Sequence, residues 1–224
     1  MSVVAENFVL YALKIGALEL VPEGRNLKSG RVSPYFFNSG LFNSGKPLIE
    51  LSEAYSVKIP LRSGVIFGPA HKGSVLAPTI AMTIWKRYEI NMGFAFNRKE
   101  AKDHGEKGII VGHSLAGKNV CIVDDVMTTG TSSGEAVEII RANGGIPITC
   151  VIAFDRQERG NNTELSAVQE FEHNYDIHVY SVATLTDLIA ILEKDARSDR
   201  SSTIPNSKKV LKKILIYRDE YGVK

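Results

Sequence analysis

Hydrophobic residues follow two different periods along this chain. Val3, Phe8, Ala12 and Ile15 recur at helical spacing, which predicts an amphipathic first helix that ends at Gly16. Short continuous apolar runs predict strands at 18–21, 32–37, 65–67, 92–96, 120–123, 148–154 and 178–182, and the helical period returns at 75–85, 133–142, 165–173 and 208–221. Strands separated by helices predict an α/β protein whose central, mainly parallel sheet is flanked by helices.

The connections between these elements indicate where a ligand would bind. In a parallel sheet the carboxyl ends of the strands lie at one edge, and ligands collect there. We therefore expect the residues after positions 67, 96, 123 and 154 to form a common rim. The first two strands are expected to be joined by a turn at Pro22, Glu23 and Gly24.

Length and charge narrow the class of protein. The 224 residues suffice for one substantial domain, and the formal net charge is only +2. A dedicated nucleic-acid binder would have a stronger basic field, so no nucleic-acid partner is expected. Cys121 and Cys150 fall in predicted core strands without disulfide or zinc spacing, which favours a reducing cytoplasmic location. Neither a signal peptide nor a membrane-spanning stretch is predicted.

The segment 196–224 is predicted to combine a polar linker with a basic C-terminal helix. Val210, Leu211, Ile214 and Leu215 form the apolar side of that helix. Basic amphipathic helices are typical of membrane surfaces or calmodulin-type partners. We favour packing of the apolar side onto the domain, with no membrane partner.

The most informative stretch is 120–133, where an apolar strand ends in the adjacent acids Asp124 and Asp125 and a turn rich in hydroxyl groups and glycine follows. Unpaired amides at a helix N-terminus, with Thr and Ser hydroxyls, suit a phosphate. Two carboxylates would repel a phosphate, so the hydroxyls of a ribose, or a magnesium ion bound to it, fit them best. The stretch therefore predicts a ribose 5-phosphate site. The alternative is a solvated Asp-Asp turn before an ordinary N-cap.

Two further stretches offer cations near the predicted rim. Residues 98–108 interleave bases with acids directly after a predicted core strand, which suits a mobile cationic lid over a pyrophosphate or a solvated hairpin loop. In 67–73, two glycines permit unusual dihedrals beside the point charge of Lys72.

Two other stretches could hold a flat, anionic molecule. Phe36 and Phe37 follow Lys28 and point to opposite faces of their strand, so one of them can instead fill the core. Arg156 can hold a planar carboxylate with two parallel donors, or it can pair with a neighbouring acid, Glu158 or Asp155.

These stretches together resemble a known family. The 120–133 stretch resembles the signature of the type I phosphoribosyltransferases, whose loop holds the 5-phosphate of phosphoribosyl pyrophosphate (PRPP) and whose acidic pair binds the ribose diol. The other stretches resemble, in family order, the hood, pyrophosphate loop, lid and arginine segment of the orotate phosphoribosyltransferases. The resemblance implies a type I phosphoribosyltransferase fold over residues 1–195, with a small N-terminal hood mainly from 18–45 and a core at about 60–192.

The resemblance also implies a role for each candidate residue. It implies catalysis by Lys102 and His104, with Asp125 as a candidate proton acceptor. Orotate binding is implied for Lys28, Phe36, Phe37, Thr128 and Arg156. PRPP binding is implied for Lys72, Arg98, Lys99, Lys102, His104, Asp124, Asp125, Val126, Met127, Thr128, Thr129, Gly130, Thr131 and Ser132. The role of His71, where the family often has an aromatic residue, stays open.

The implied reaction joins orotate to PRPP, releases pyrophosphate and gives orotidine 5-monophosphate in UMP biosynthesis. The implied cofactor is Mg²⁺, because the leaving group is a polyanion whose charge must be neutralised. The ion would be bound mainly through PRPP, with no direct protein ligand assigned and Asp124 or Asp125 as candidates for a contact through water. The implied assembly is a homodimer in which the lid of one subunit reaches the neighbour's active site.

Two other functions share part of this pattern. A purine phosphoribosyltransferase would have the 120–133 stretch but would not be expected to combine Phe36 and Phe37 with Arg156. A PRPP-binding transcriptional regulator would keep the phosphate site and lose catalysis, and the complete lid sequence and the lack of a predicted helix-turn-helix extension argue against it.

Overall fold

The computed structural model describes residues 1–27, 29–102, 108–197 and 204–223, apart from the side chains of 99–102. Its helices are α1 (Val3–Lys14), α2 (Gly45–Ser56), α3 (Gly73–Tyr88), α4 (Thr131–Ala142), α5 (Ala167–Tyr175), α6 (Leu185–Arg197) and α7 (Ser207–Tyr221). Its strands are β1 (Leu18–Asn26), β2 (Val32–Phe37), β3 (Val65–Gly68), β4 (Gly93–Lys102), β5 (Gly108–Gly112), β6 (Asn119–Asp124), β7 (Ile146–Asp155) and β8 (Val179–Thr184).

Six of the strands form the central sheet in the order β5-β4-β3-β6-β7-β8. Every neighbouring pair is parallel except β4 and β5, which are antiparallel. The predicted α/β class and mainly parallel sheet are therefore confirmed. Since β3, β4, β6 and β7 run the same way, the residues that follow them share one rim, as the sequence predicted.

The central strands β3 and β6 are almost wholly apolar because the sheet is buried on both faces. Ile66 and Cys121 belong to a core cluster that also holds residues of α1, α2, α3, α6 and α7, whereas Val65 and Val120, next to them in sequence, belong to a second cluster with α4 and α5. Adjacent strand residues point to opposite faces, so β3, β6 and β7 each supply both clusters. Cys121 and Cys150 are free and buried, in agreement with their prediction as core residues.

A second, two-stranded antiparallel sheet of β1 and β2 forms the hood. The expected turn at Pro22 to Gly24 is wrong, because β1 continues through these residues to Asn26. The register shifts between Leu20 and Arg25, and Gly24 adopts a positive φ of 84°. A proline and a left-handed glycine are tolerated in a two-stranded ribbon at a bulge, where no ladder hydrogen bond is required.

The basic C-terminal helix α7 packs onto the domain, as predicted. Val210 and Ile214 are fully buried in the first core cluster, and Leu211 and Leu215 pack against it. The helix contacts α6 and both hood strands. On its polar side, Lys209 pairs with Glu23 of the hood at 2.7 Å. The preceding residues 198–203, predicted as part of a linker, lie outside the described part of the chain.

Candidate active site

The acidic pair lies at the carboxyl end of β6, at the centre of the rim. Strand β6 is paired with β3 as far as Ile122 and with β7 as far as Asp124, so its two neighbours fix the strand that carries the acidic pair. The two residues are 8% and 7% exposed, respectively. The Ala153 amide of β7 donates to the Asp125 carbonyl at 2.9 Å, which fixes the backbone beyond the strand end. This is a buried, rigid carboxylate pair, unlike the solvated Asp-Asp turn that was the alternative.

The two carboxylates have different surroundings. The Asp124 carboxylate accepts a hydrogen bond from the Asp125 amide at 2.9 Å, and the Tyr55 hydroxyl donates to the Asp124 carbonyl at 2.7 Å. The Asp125 carboxylate accepts from the Ser39 hydroxyl and forms an ion pair with Lys72. The Asp125 carboxylate therefore faces Lys72, on the loop after β3, and Ser39, which follows β2. Asp124 is instead held by the Asp125 amide and by Tyr55 of α2.

Electrostatics distinguish Asp124 from an ordinary surface acid. Burial, followed by repulsion from Asp125, raises the pKa of Asp124 to about 6. The Asp125 amide, Ser132 and Lys72 act in the opposite direction and limit this rise in the pKa. A carboxyl with such a pKa is stabilised by a hydroxyl donor or a cation, and a ribose diol supplies the former.

The phosphate loop, residues 126–132, turns from β6 into α4. Gly130 is the N-cap of α4 and has a φ of 70°, a left-handed conformation that suits glycine. The first-turn amides of a helix have no partner inside it, and they carry the positive end of the helix dipole. Thr129 and Thr131 share a hydrogen bond of 3.0 Å between their hydroxyls. Small exposed side chains around a helix N-terminus form a cradle that an anion fits.

The side chains of the phosphate loop point either to the solvent or towards the core. Thr128, Thr129, Thr131 and Ser132 are exposed. Met127 instead packs in the second core cluster and Val126 against the first. Any contact of Met127 with a phosphate would therefore come from its backbone.

The pyrophosphate loop, residues 68–73, joins β3 to α3. Its two ends approach so closely that a Cβ on Gly68 would overlap the carbonyl of Gly73. The peptide bond between Ala70 and His71 is cis, and the Ala70 amide donates to the Asn97 side chain of β4 at 3.0 Å. Lys72 of this loop forms an ion pair with Asp125, so the loop and the acidic pair form one site. The exposed side chain of His71 acquires no assigned role.

Of the segment predicted to form the lid, residues 98–108, the structure describes only the end of β4 and the start of β5. Strand β4 continues past the predicted end at residue 96 as far as Lys102, and its pairing with β5 shifts register between Asn97 and Lys102. Arg98 and Thr129 line a cavity of about 810 Å³ that lies between the base of the lid, the phosphate loop, α4 and α5. His104 and the side chains of Lys99 and Lys102 lie outside the described part of the chain.

The paired phenylalanines of the hood point in opposite directions, as alternation predicted. Phe37 is 7% exposed and stacks on Phe154 of β7, with ring centroids 5.6 Å apart and planes at 17°. Phe36 is half-buried beneath the Arg25 guanidinium, which lies 3.9 Å from the ring centroid. Phe37 thus contributes to the core, while the contact of either ring with a pyrimidine stays a prediction. Lys28 lies outside the described residues.

Arg156 follows β7 on the rim and is held in the interior between the hood and the end of the sheet. Its Nη2 donates to Glu158 Oε1 at 2.6 Å and to the Ser33 hydroxyl at 3.2 Å. Its guanidinium lies 4.5 Å from the centroid of the Tyr35 ring. The ion pair with Glu158, one of the sequence alternatives, therefore exists. It is a buried pair, with side chains 13% and 10% exposed, and not a surface contact.

Several residues whose contacts fix the side chains of this site were not identified from the sequence. Tyr55 lies on α2, whose helical pattern of Leu48, Leu51 and Tyr55 could have indicated a helix. Ser39 carries no signal in the sequence, because its contact with Asp125 spans 86 residues. Glu158 was considered only as an acid that could pair with Arg156 in place of a substrate carboxylate. Among the described residues, no three His, Cys, Asp or Glu side chains come together as a metal cage.

Comparison with known proteins agrees with this arrangement. A six-stranded, mainly parallel sheet with an acidic pair and a phosphate loop on its rim defines a phosphoribosyltransferase domain, and the family "Phosphoribosyl transferase domain" matches residues 43–184. The orotate phosphoribosyltransferase of Actinobacillus succinogenes is 48% identical over 200 residues, which cover 88% of each chain. That of Escherichia coli is 46% identical over 88% of this chain and 89% of its own.

A solved structure extends the comparison to the whole fold. The crystal structure of orotate phosphoribosyltransferase from Francisella tularensis matches with a TM-score of 0.80 and 32% identity, over 96% of this chain and 99% of that one. The chain therefore belongs to the orotate phosphoribosyltransferase family of type I phosphoribosyltransferases.

Proposed function

We propose that this protein transfers the 5-phosphoribosyl group of PRPP to orotate, giving orotidine 5-monophosphate and pyrophosphate in UMP biosynthesis. Family membership supports orotate phosphoribosyltransferase activity. The structural observation that supports it most is the joint position of Asp124, Asp125 and Lys72 on one rim, with the buried guanidinium of Arg156 after the neighbouring strand.

PRPP is assigned to the centre of the rim. Residues Met127 to Ser132 bind the 5-phosphate through the amides and hydroxyls at the start of α4. Asp124 and Asp125 accept hydrogen bonds from the ribose diol. Lys72, beside Asp125, balances the carboxylate and lies on the loop that faces the pyrophosphate. Arg98, at the base of the lid, adds a cation on the same side.

Mg²⁺ is proposed as the cofactor, and the donors in the site fit it. Mg²⁺ in proteins commonly uses one or two carboxylates together with substrate phosphates rather than a protein cage. Asp124 and Asp125 are two such carboxylates, and the described residues contain no larger acidic cluster. When bound, Mg²⁺ neutralises the negative charge that accumulates on the departing pyrophosphate.

The lid cations are proposed to act on the transition state. As the C1–O bond of PRPP breaks, positive charge grows on the ribose ring and negative charge on pyrophosphate. Cations that meet pyrophosphate best in that state accelerate the step, each by up to about 3 kcal/mol. We assign this role to Lys102 and His104, with Lys99 as a further contact. Closure also excludes water, which would otherwise attack the cationic carbon.

Orotate is placed between the hood and the end of β7. Arg156 would hold its carboxylate with parallel donors, while Lys28, Phe36, Phe37 and Thr128 complete the pocket. The ring nitrogen of orotate attacks C1 as the leaving group departs, so no strong base is needed. Asp125 is the candidate acceptor for any proton released.

The proposed assembly is a homodimer that completes each site with the neighbour's lid, and the proposed location is the cytoplasm. The buried free cysteines agree with a reducing compartment. In the part of the chain that the structure describes, no helix has the length and apolar character needed to cross a membrane.

The proposed activity is tested by consumption of orotate in the presence of PRPP, with and without Mg²⁺. We expect turnover with Mg²⁺ and its loss when the ion is chelated. Hypoxanthine in place of orotate is the matched control. Turnover of hypoxanthine without turnover of orotate would assign the chain to purine chemistry and reject the proposal.

A further inference from the structure

Glu158 lies at the junction of three parts of the fold, and each of its oxygens has two partners. Oε1 accepts from Arg156 Nη2 at 2.6 Å and from the Tyr35 hydroxyl at 2.7 Å. Oε2 accepts from the Tyr217 hydroxyl at 3.1 Å and lies 3.7 Å from Arg31 Nη1. The carboxylate therefore connects Arg156 on one side with α7 and the start of β2 on the other.

The backbone of the C-terminal region fixes the same segment. The Arg159 amide donates to the Tyr221 carbonyl at 2.8 Å, and the Val223 amide donates to the Gln157 carbonyl at 3.0 Å. Arg159 Nη2 also donates to the Glu220 carbonyl at 2.6 Å. The segment that carries Arg156 is thus anchored on both sides of Glu158 by residues more than 60 positions later in sequence.

We propose that Tyr217 is a positioning residue for orotate, which it serves by holding Glu158 in the orientation that directs the Arg156 guanidinium. The proposal rests on the assignment of Arg156 to the orotate carboxylate. A binding group must be held within a fraction of an ångström, and its supporting hydrogen bonds provide that precision. With the hydroxyl of Tyr217 absent, Glu158 Oε2 keeps only the longer contact with Arg31, while Oε1 keeps Tyr35 and Arg156. The carboxylate can then pivot about Oε1, which changes the orientation of the Arg156 guanidinium.

The chemistry of Tyr217 suits this role. Burial, followed by the charge of Glu158, raises the pKa of Tyr217 to about 12, so the hydroxyl remains a proton donor at physiological pH. Its ring packs edge-on against Tyr35 with centroids 6.2 Å apart. A phenylalanine retains that packing and removes the hydroxyl, which donates to Glu158 and also interacts with Arg156. The Tyr217→Phe change therefore tests the loss of the hydroxyl while the packing of α7 is kept.

The test compares Tyr217→Phe with Tyr221→Phe, one helical turn further along α7. The Tyr221 ring stacks on Arg31, with the guanidinium 4.7 Å from the ring centroid, and phenylalanine keeps this contact. We expect Tyr217→Phe to raise the KM for orotate about tenfold with an unchanged KM for PRPP. The Tm should fall slightly, because the largely buried Glu158 carboxylate loses a donor. Tyr221→Phe should leave all three at wild-type values.

A double-mutant cycle shows whether Tyr217 acts through Arg156. Arg156→Lys keeps the positive charge beside Glu158 and loses the two parallel donors, so this variant is expected to fold and to raise the KM for orotate. Adding Tyr217→Phe to Arg156→Lys should then have little further effect, because the geometry it protects is already lost.

The possible outcomes separate this inference from the proposed function. If Arg156→Lys raises the KM for orotate and Tyr217→Phe does not, or if the two effects simply add, Tyr217 has no positioning role and the function stands. Equal changes in both KM values with a fall in Tm would also overturn the inference. If Arg156→Lys leaves the KM for orotate unchanged, the assignment of Arg156 is wrong and the inference fails with it.

Discussion

Asp124 is a carboxyl group that the fold places where its charge is unfavourable. The sheet buries it next to a second carboxylate, and its pKa rises to about 6. The folded protein therefore binds this proton more tightly than the unfolded chain does. Stability falls as the pH rises from about 4 to about 6 and stays lower above that range. We infer that this unfavourable charge is retained because the Asp124 carboxylate binds the substrate.

Replacement of Asp124 with asparagine should therefore stabilise the protein at neutral pH. We expect Asp124→Asn to raise the free energy of unfolding relative to wild type by roughly 1 to 3 kcal/mol at pH 8, with a smaller gain at pH 5. The KM for PRPP should rise in the same variant, because a carboxylate for the diol is lost. Urea unfolding at the two pH values and steady-state kinetics measure both effects.

The control for this prediction is Asp219→Asn, the same chemical change on an exposed side chain of α7. Its effect on stability should be small and nearly independent of pH. A gain for Asp124→Asn that is equal at pH 5 and pH 8 would show that the buried charge is not its source.

At the scale of single residues, the sequence predicted the side chains that could bind a substrate. It predicted less well the residues whose contacts hold those side chains in place. The order of Asp124, Asp125 and the hydroxyl-rich turn is local, so it is visible in the sequence. The contacts of Ser39 with Asp125 and of Tyr217 with Glu158 span 86 and 59 residues, and no local pattern encodes such distances. Arg156 was identified, but its burial against Tyr35 depends on the hood.

At the scale of elements, the β3–α3 connection shows how a close backbone approach shapes a loop. Gly68 ends β3 and Gly73 begins α3, and the two backbones leave no space for a side chain at Gly68. The loop closed in this way carries Lys72, which pairs with Asp125. Gly68 does not have a left-handed φ, so its backbone conformation does not demand glycine. Glycine is required there because a side chain would have no space.

A methyl group at this position should disrupt the loop. We expect Gly68→Ala to lower the free energy of unfolding by about 2 to 4 kcal/mol and to raise the KM for PRPP, because the loop must open to accept the Cβ. Gly45→Ala is the matched control, since Gly45 lies in the first turn of α2 with open space around its Cβ position. Urea unfolding of the two variants tests the prediction, and similar stabilities would contradict it.

Element prediction succeeded where the hydrophobic period is regular and failed where it is interrupted. The strands near 65–67, 120–123 and 148–154 are continuous apolar runs, and all of them form. Strand β5 was not predicted, because Gly108–Gly112 is a short run at the edge of the sheet that pairs with β4 alone among the described strands. Helix α6 was also not predicted, although its apolar residues Leu185, Leu188 and Leu192 have helical spacing.

At the scale of the whole molecule, the proposed catalytic groups belong to two different parts of the fold. Asp124, Asp125 and Lys72 are attached to the rigid centre of the sheet, whereas Lys102 and His104 belong to the lid. Such a division allows the two sets to come from different subunits, as the proposed homodimer requires. A two-fold dimer would then contain two composite sites.

Mixing inactive variants tests this sharing. Lys102→Ala and Asp125→Ala homodimers should each be inactive, while an equal mixture that exchanges subunits should recover about a quarter of wild-type activity, because half of the dimers then hold one intact site. The control mixes each variant with a second, tagged copy of itself, which should stay inactive. No recovery despite demonstrated hybrid dimers would show that each site uses its own lid.

The anchoring of Arg156 by α7 has a consequence for the order of events during synthesis. A ribosome delivers the sheet strands and the arginine itself well before residues 207–223 emerge. A nascent chain can therefore assemble β3, β6 and β7 and position the acidic pair while Glu158 still lacks Tyr217. The proposed PRPP half of the site can form first, and the proposed orotate contact of Arg156 gains its support from Tyr217 only when the later helix has been translated.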